Sequence, residues 1–222
     1  MRFKHNLVEI PQIKQINGVR RYYETPTGIR YPSVTTILSA TADKSHLDKW
    51  RDRVGHDEAN RITKQAGMRG TATHSLCEDY VLNRELNFSS ATPLGIDLFK
   101  QIQPVLDNNV DNIRLSEGAL FSHKLRTAGS VDLVAEYNGI PSIIDFKTSR
   151  RAKRTEWITD YYLQTAMYAY MLWELTKIHC GQLVVIIALE DDNRAQVFIE
   201  STNKWIDQAY SRCNQYHQEN PL

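Results

Sequence analysis

The dipeptide Asn138-Gly139 constrains this chain more than any other feature, because it stands between two apolar runs, 131–137 and 140–146. Both residues tolerate positive φ, which the tight turns of two-residue β-hairpins demand. The stretch 129–147, GSVDLVAEYNGIPSIIDFK, therefore reads as two core strands joined by a hairpin turn. Three charged side chains interrupt it: Asp132, Asp145 and Lys147. Asp145 and Lys147 are two apart, so on a strand they share a face. A charge inside a core strand is costly unless it is paired or holds a metal. Chemistry is expected at this hairpin.

The rest of the chain supplies helices and further strands. Residues 1–40 read as irregular apart from a small hairpin, 20–24 and 29–31, around Thr25-Pro-Thr-Gly28. Ser33 is placed to cap a short helix over 34–38. Apolar spacing predicts helices over 43–54, over 56–83 with a break near 67–70, and over 94–109 with Pro104 as a kink or boundary. Three successive strands are predicted over 115–125, 128–137 and 140–148, followed by a basic loop at 149–154. A long amphipathic helix over 156–177 takes Trp157 among its large apolar residues. Strands over 183–189 and 195–200 and a helix over 201–218, with Ser201 as its cap, complete the chain. This order predicts an α/β fold with a mixed central sheet flanked by helices and a helical N-terminal half. Without repeats, low-complexity segments or a clear linker, residues 1–222 read as one domain, mostly helical over 1–110 and built on the sheet over 111–222.

Composition excludes several classes. The formal net charge is +1, so an anion-binding surface must be a local patch balanced elsewhere. Three cysteines, Cys77, Cys180 and Cys213, are odd in number, far apart and without a CxxC pair. No disulfide framework, zinc site or iron–sulfur cluster is expected, and a reducing compartment fits. Residues 1–7, MRFKHNL, carry neither the apolar core of a signal peptide nor the long Arg- and Ser-rich stretch of a transit peptide. No apolar run approaches membrane-spanning length, so a cytoplasmic protein without membrane contact is expected. No phosphate loop of the G-x-x-x-x-G-K-[ST] type occurs, and no ATP chemistry is expected.

Several side chains are candidates for a site. Two carboxylates on adjacent strands, Asp132 and Asp145, can hold a hard divalent cation, with Lys147 orienting water or stabilising charge on a phosphate. The competing reading is a structural ion pair between Asp145 and Lys147. His74 lies on a helix with Gly70 one turn before it and Glu78 one turn after. It is a candidate metal ligand or a packing residue. Gln164 and Tyr168 are four apart and share a helix face. The amide could bond a phosphate or Lys147, and the ring could stack on a base or bond a phosphate; alternatively the Tyr packs beside an exposed Gln. Arg150, Arg151, Lys153 and Arg154, and Arg69 ahead of His74, could contact phosphates or form solvated surface.

Taken in order, His74, Gly129-x-x-Asp132, Asp145-Phe-Lys147 and Gln164-x-x-x-Tyr168 resemble the PD-(D/E)xK nuclease superfamily, and more narrowly its RecB-type branch. The run from Glu117 through Asp145-Phe-Lys-Thr-Ser149 to Gln164-Thr-Ala-Met-Tyr-Ala-Tyr170 is similar to a mitochondrial exonuclease group in that branch. The resemblance implies a restriction-endonuclease-like core. It implies Mg²⁺ or Mn²⁺ held by His74, Asp132, Asp145 and the backbone carbonyl of Phe146, with Asp132, Asp145 and Lys147 catalytic. Glu117 would stand behind the ligands or serve a second metal. Gln164, Tyr168, Arg69, Ser149, Arg150 and Arg151 would position DNA, and the helical N-terminal half would wall or arch over the site. The implied activity is a metal-dependent DNA exonuclease, monomeric, acting on single strands or free ends beside replication or recombination proteins. A bacterial or phage-infected cytoplasm is the expected setting. Two other readings stand beside it: a structure-specific or double-strand endonuclease on the same fold, and a catalytically silent nucleic-acid-binding accessory of recombination.

Overall fold

In the computed structural model, which describes residues 2–221, a small antiparallel sheet comes first. It comprises β1 (Lys14–Ile16), β2 (Tyr22–Glu24) and β3 (Arg30–Pro32). The last two are the predicted hairpin. β1 escapes sequence reading because its three residues are mostly exposed and carry no alternation. Helices α1 (Val34–Thr41), α2 (Ser45–Val54), α3 (His56–Val81) and α4 (Pro93–Asn109) follow. Ser33 caps α1 as expected, its Oγ accepting from the Thr36 N–H at 3.0 Å.

Neither predicted interruption ends its helix. Helix α3 runs unbroken through Gly67 and Gly70, and α4 runs through Pro104. An interior Pro costs roughly 3 kcal/mol in an isolated helix. Here α4 buries Leu98, Phe99, Ile102 and Leu106, and burying such side chains at roughly 1.5–3 kcal/mol each outweighs that cost.

The main sheet has the order β4-β5-β6-β7-β8, formed by β4 (Val110–Ser122), β5 (Thr127–Tyr137), β6 (Ile140–Ser149), β7 (Gln182–Leu189) and β8 (Gln196–Ser201). Only β6 and β7 pair in parallel. Parallel neighbours need a crossover, and α5 (Thr159–Thr176) provides it. Helix α6 (Thr202–Glu219) closes the chain. Ser201 makes no side-chain cap bond; Thr202 instead donates its hydroxyl to the Cys180 carbonyl at 2.7 Å.

Strand β7 shows why the layers form. Leu183, Val185 and Ile187 pack with residues of α1, α5 and α6, while Val184, Ile186 and Ala188 pack with residues of α3 and α4. Side chains of a strand alternate between faces, so a wholly apolar strand is a strand covered on both sides. Helix α5 is buried around most of its circumference, including Tyr162, Leu163, Ala166, Met167, Tyr168 and Met171, because α6 covers the side turned from the sheet. The mixed sheet flanked by helices is the restriction-endonuclease-like α/β arrangement expected from the sequence.

Candidate active site

The turn at Asn138-Gly139 forms with φ values of 53° and 78°, the left-handed pair that a twisted two-residue hairpin needs. It fixes the β5–β6 register, and the ladder runs from Tyr137↔Ile140 to Leu133↔Ile144. Beyond that pair the strands part: β5 continues along β4, and β6 continues along β7. One more step of the same register sets Asp132 opposite Asp145, so both carboxylates stand where the sheet forks. The fork leaves the Phe146 N–H to Asp132, whose Oδ2 accepts it at 2.8 Å.

Glu117 extends the row. It lies on β4 opposite Asp132, between the pairs Ser116↔Leu133 and Gly118↔Val131. Its φ of 48° is in the left-handed region, a conformation a Glu adopts only when its surroundings hold it there. Three adjacent strands thus present one carboxylate each. From α3, His74 reaches the same point: its Nδ1 lies 3.5 Å from Asp132 Oδ2 and 3.9 Å from Glu117 Oε1. Donor atoms of His74, Glu117 and Asp132 all lie within 4.8 Å of one another.

Asp145 has partners within the protein. Its Oδ2 pairs with Lys147 Nζ, and its Oδ1 accepts from Gln164 Nε2 at 3.1 Å. The closest trio is therefore His74, Glu117 and Asp132, with Glu117 brought further in than its sequence position suggested, and Asp145 engaged by Lys147 and Gln164. A nitrogen and several carboxylate oxygens form a donor set suited to a hard or borderline divalent cation. Phe146 stacks edge-on against His74, ring centroids 6.1 Å apart, which fixes the imidazole's tilt.

Burial sets the charges. Asp145 is buried, and burial pushes its carboxyl up to about 6; Lys147 pulls against that shift and Asp132 adds to it. Burial works against the Lys147 ammonium, but Asp145 and Asp132 outweigh it and raise its pKa. For His74, burial again opposes the charged form, and Asp132 and Glu117 together win, raising the imidazole. The Cys77 thiol, one turn after His74, is pushed well above its usual value by burial and by Asp132 and Glu117, so it is no nucleophile.

The remaining sequence candidates fall into three groups. Gln164 joins the site through Asp145. Tyr168 lies under it: the residue is buried, and a Cβ added to Gly129 would sit 3.0 Å from its ring and hydroxyl. Its face is closed to a base, which corrects the stacking reading, and it accounts for Gly129, since only a bare Cα lets β5 pass so close to the ring. The outer basic residues are unequal. Arg69 pairs with Glu190 at 2.8 Å, and the Ser149 hydroxyl donates to the Arg151 carbonyl at 2.8 Å, so both are engaged within the protein. Arg150 and Arg151 are exposed beside them, Arg151 lying 3.8 Å from Asp191. Sequence reasoning missed Tyr161, whose ring lies 5.2 Å from Lys147 Nζ. Its signal was present, three residues before Gln164 and hence on the same helix face. Trp157 was misplaced: it lies in a short 3₁₀ turn ahead of α5 and is exposed, not packed on the helix.

A forked mixed sheet with acidic residues in a row and a lysine two positions past the last of them defines a class of phosphodiester-cleaving proteins. The chain belongs to the PD-(D/E)XK nuclease superfamily, whose family model matches residues 21–215. Among its curated relatives is mitochondrial genome maintenance exonuclease 1 of Homo sapiens, 28% identical over 177 residues, which are 74% of this chain and 51% of the relative. The Xenopus tropicalis protein of that name is 26% identical over 196 residues, 79% of this chain and 55% of the relative. The chain thus spans about half the length of these relatives. Among the described residues, no helix is long and apolar enough to cross a membrane.

Proposed function

We infer that this chain is a metal-dependent DNA exonuclease acting on single strands or free ends. The observation that carries the chemistry is the convergence of His74, Glu117 and Asp132 within 4.8 Å beside the ion pair of buried Asp145 with half-buried Lys147. The exonuclease part rests on the relatives, which are named as exonucleases.

His74, Glu117 and Asp132 would hold Mg²⁺ or Mn²⁺, with Asp145 and the Phe146 carbonyl as the further ligands of the set. Such a cation supplies Lewis-acid polarisation of a phosphodiester. The protein's own groups do the rest. Lys147, half-buried and held cationic by Asp145 and Asp132, offers Nζ to the charge that grows on the phosphate. Tyr161 backs the ammonium with its ring face, and Gln164 fixes the Asp145 carboxylate. Phe146 holds Asp132 through its backbone N–H, so the Asp132 rotamer is set before substrate arrives. Arg150 and Arg151 would meet flanking phosphates, and α2 with the first half of α3, whose side chains are mostly exposed, would wall the entrance.

The acid limb of activity follows from Asp145. A carboxyl raised to about 6 keeps its proton until pH passes that value, and the proton competes with the cation. The raised His74 pKa acts in the same direction, because only neutral imidazole ligates. At low Mn²⁺, kcat/KM should fall as pH drops through about 6. A tenfold increase in Mn²⁺ should move that limb to lower pH. An acid limb indifferent to metal concentration would show that these groups do not compete with a cation.

Exonuclease and endonuclease action separate on topology. A linear labelled single strand should be degraded with Mg²⁺ or Mn²⁺, and a closed circular strand of the same sequence should survive. Equal cutting of both would replace the exonuclease reading with an endonuclease one.

A further inference from the structure

Trp157 and the residues just before it carry the strongest feature that the site does not use. Between β6, which ends two residues after Lys147, and α5, which begins at Thr159, the chain holds Arg150, Arg151, Lys153, Arg154 and Trp157. Trp157 is 61% exposed, although an indole of this size normally contributes its area to a core or an interface. The Arg154 guanidinium lies 5.2 Å over its ring, and most of the indole surface is still open.

The segment is held rather than loose. Gln196 on β8 clamps Lys153 from both sides of the peptide: its Oε1 accepts from the Lys153 N–H at 2.7 Å, and its Nε2 donates to the Lys153 carbonyl at 3.1 Å. The backbone N–H of Trp157 donates to the Arg154 carbonyl at 3.0 Å. Tyr161, whose ring lies 5.2 Å from Lys147 Nζ, follows four residues on in the first turn of α5, so the segment leads directly from the strand that carries Lys147 to the helix that backs it. A clamped segment that keeps a large aromatic in solvent among cations, in the connection between the strand of Asp145 and Lys147 and the helix of Tyr161 and Gln164, has the makings of a stacking platform.

We propose that Trp157, with Arg154 behind it, stacks on an unpaired base of a single-stranded nucleic acid close to the scissile phosphate, and so selects single-stranded over duplex substrate. The proposal rests on the nuclease reading for its substrate class. The ring offers a flat apolar face to any base, which gives grip without sequence preference. Paired bases in a duplex turn their faces to their neighbours and cannot take it.

The test is binding without turnover. Anisotropy of a labelled oligo(dT) is measured in EDTA with wild-type protein, Trp157→Ala and Trp157→Phe. Stacking of one base predicts affinity lower by about 5- to 100-fold in Trp157→Ala and recovered in large part by Trp157→Phe. The weakening should be similar at every salt concentration, whereas Arg150→Ala should reduce the salt slope. An oligonucleotide of abasic residues should bind wild type and Trp157→Ala equally. Equal oligo(dT) affinity in wild type and Trp157→Ala, or no measurable binding to wild type, overturns the proposal. So does an equal loss on the abasic strand, which would assign Trp157 a merely structural role. If wild type binds in this pattern yet cuts nothing with Mg²⁺ or Mn²⁺, the nuclease reading fails and the platform stands. If wild type cuts but Trp157→Ala binds as well as wild type, the platform fails alone.

Discussion

Lys147→Ala should lower cleavage of a linear single strand by about three orders of magnitude or more, while leaving the protein folded. A preorganised cation facing developing charge typically contributes about 10²–10³ in rate, and loss of the Asp145 partner adds to that. Folding survives for a specific reason. Removing Lys147 leaves Asp145 buried without its ion-pair partner, and a carboxyl in that position takes up a proton rather than staying charged. Its pKa, already about 6 with Lys147 present, must then rise further. The sign of the stability effect follows. A carboxyl raised above its unfolded value, about 4, favours the fold at low pH and loses that contribution as pH climbs through the folded value. Lys147→Ala should therefore match wild type in thermal stability near pH 5 and fall below it near pH 8. Thermal melts at the two pH values check the fold, and single-turnover digestion checks the rate. Retained cleavage in a folded variant would remove Lys147 from the chemistry.

Asp132 has two tasks, and two substitutions separate them. Its carboxylate belongs to the candidate metal trio, and its Oδ2 also accepts the buried Phe146 N–H at 2.8 Å. Asp132→Ala removes both and leaves that N–H unsatisfied, at about 1–3 kcal/mol of stability. Asp132→Asn keeps an oxygen to accept the N–H but withdraws the charge. Both should lose cleavage by about 10³-fold or more. Asp132→Asn alone should melt close to wild type. A cation at a hundred times its dissociation constant stabilises the protein that binds it by about 2.7 kcal/mol. Wild type should show that rise in melting temperature with Mn²⁺, and both variants should lose it. A full Mn²⁺ response in Asp132→Asn would mean that the ion sits elsewhere.

Much of this was legible because local chemistry and tertiary structure agree. Asn138-Gly139 demanded a turn, the flanking apolar runs demanded a covered sheet, and the register then followed by counting. That count alone brought Asp132 opposite Asp145. Features that depend on how layers meet were not legible. Glu117 joins the trio from β4 with a left-handed backbone, φ 48°, and nothing in Ser-Glu-Gly announces that. Tyr168 and Trp157 exchanged the surroundings expected of them. Helical spacing put Trp157 among core residues, but α5 begins two residues later, so the ring points off the helix. Tyr168 is a stacking candidate by spacing, but its ring is buried in the core. Helix α3 and helix α4 continued through Gly and Pro because tertiary burial outweighed local cost.

The central claim is that His74, Glu117, Asp132 and Asp145 assemble a cation site that works with Lys147. The most direct measurement starts from EDTA-treated protein and a 5′- or 3′-labelled linear single strand, and adds Mn²⁺ stepwise while cleavage is followed. Without metal no cleavage is expected; wild type should show a saturable rise with Mn²⁺, and Asp132→Asn none at any Mn²⁺ concentration. Cleavage in EDTA equal to that with metal, or an Asp132→Asn protein that responds to Mn²⁺ as wild type does, would contradict the claim.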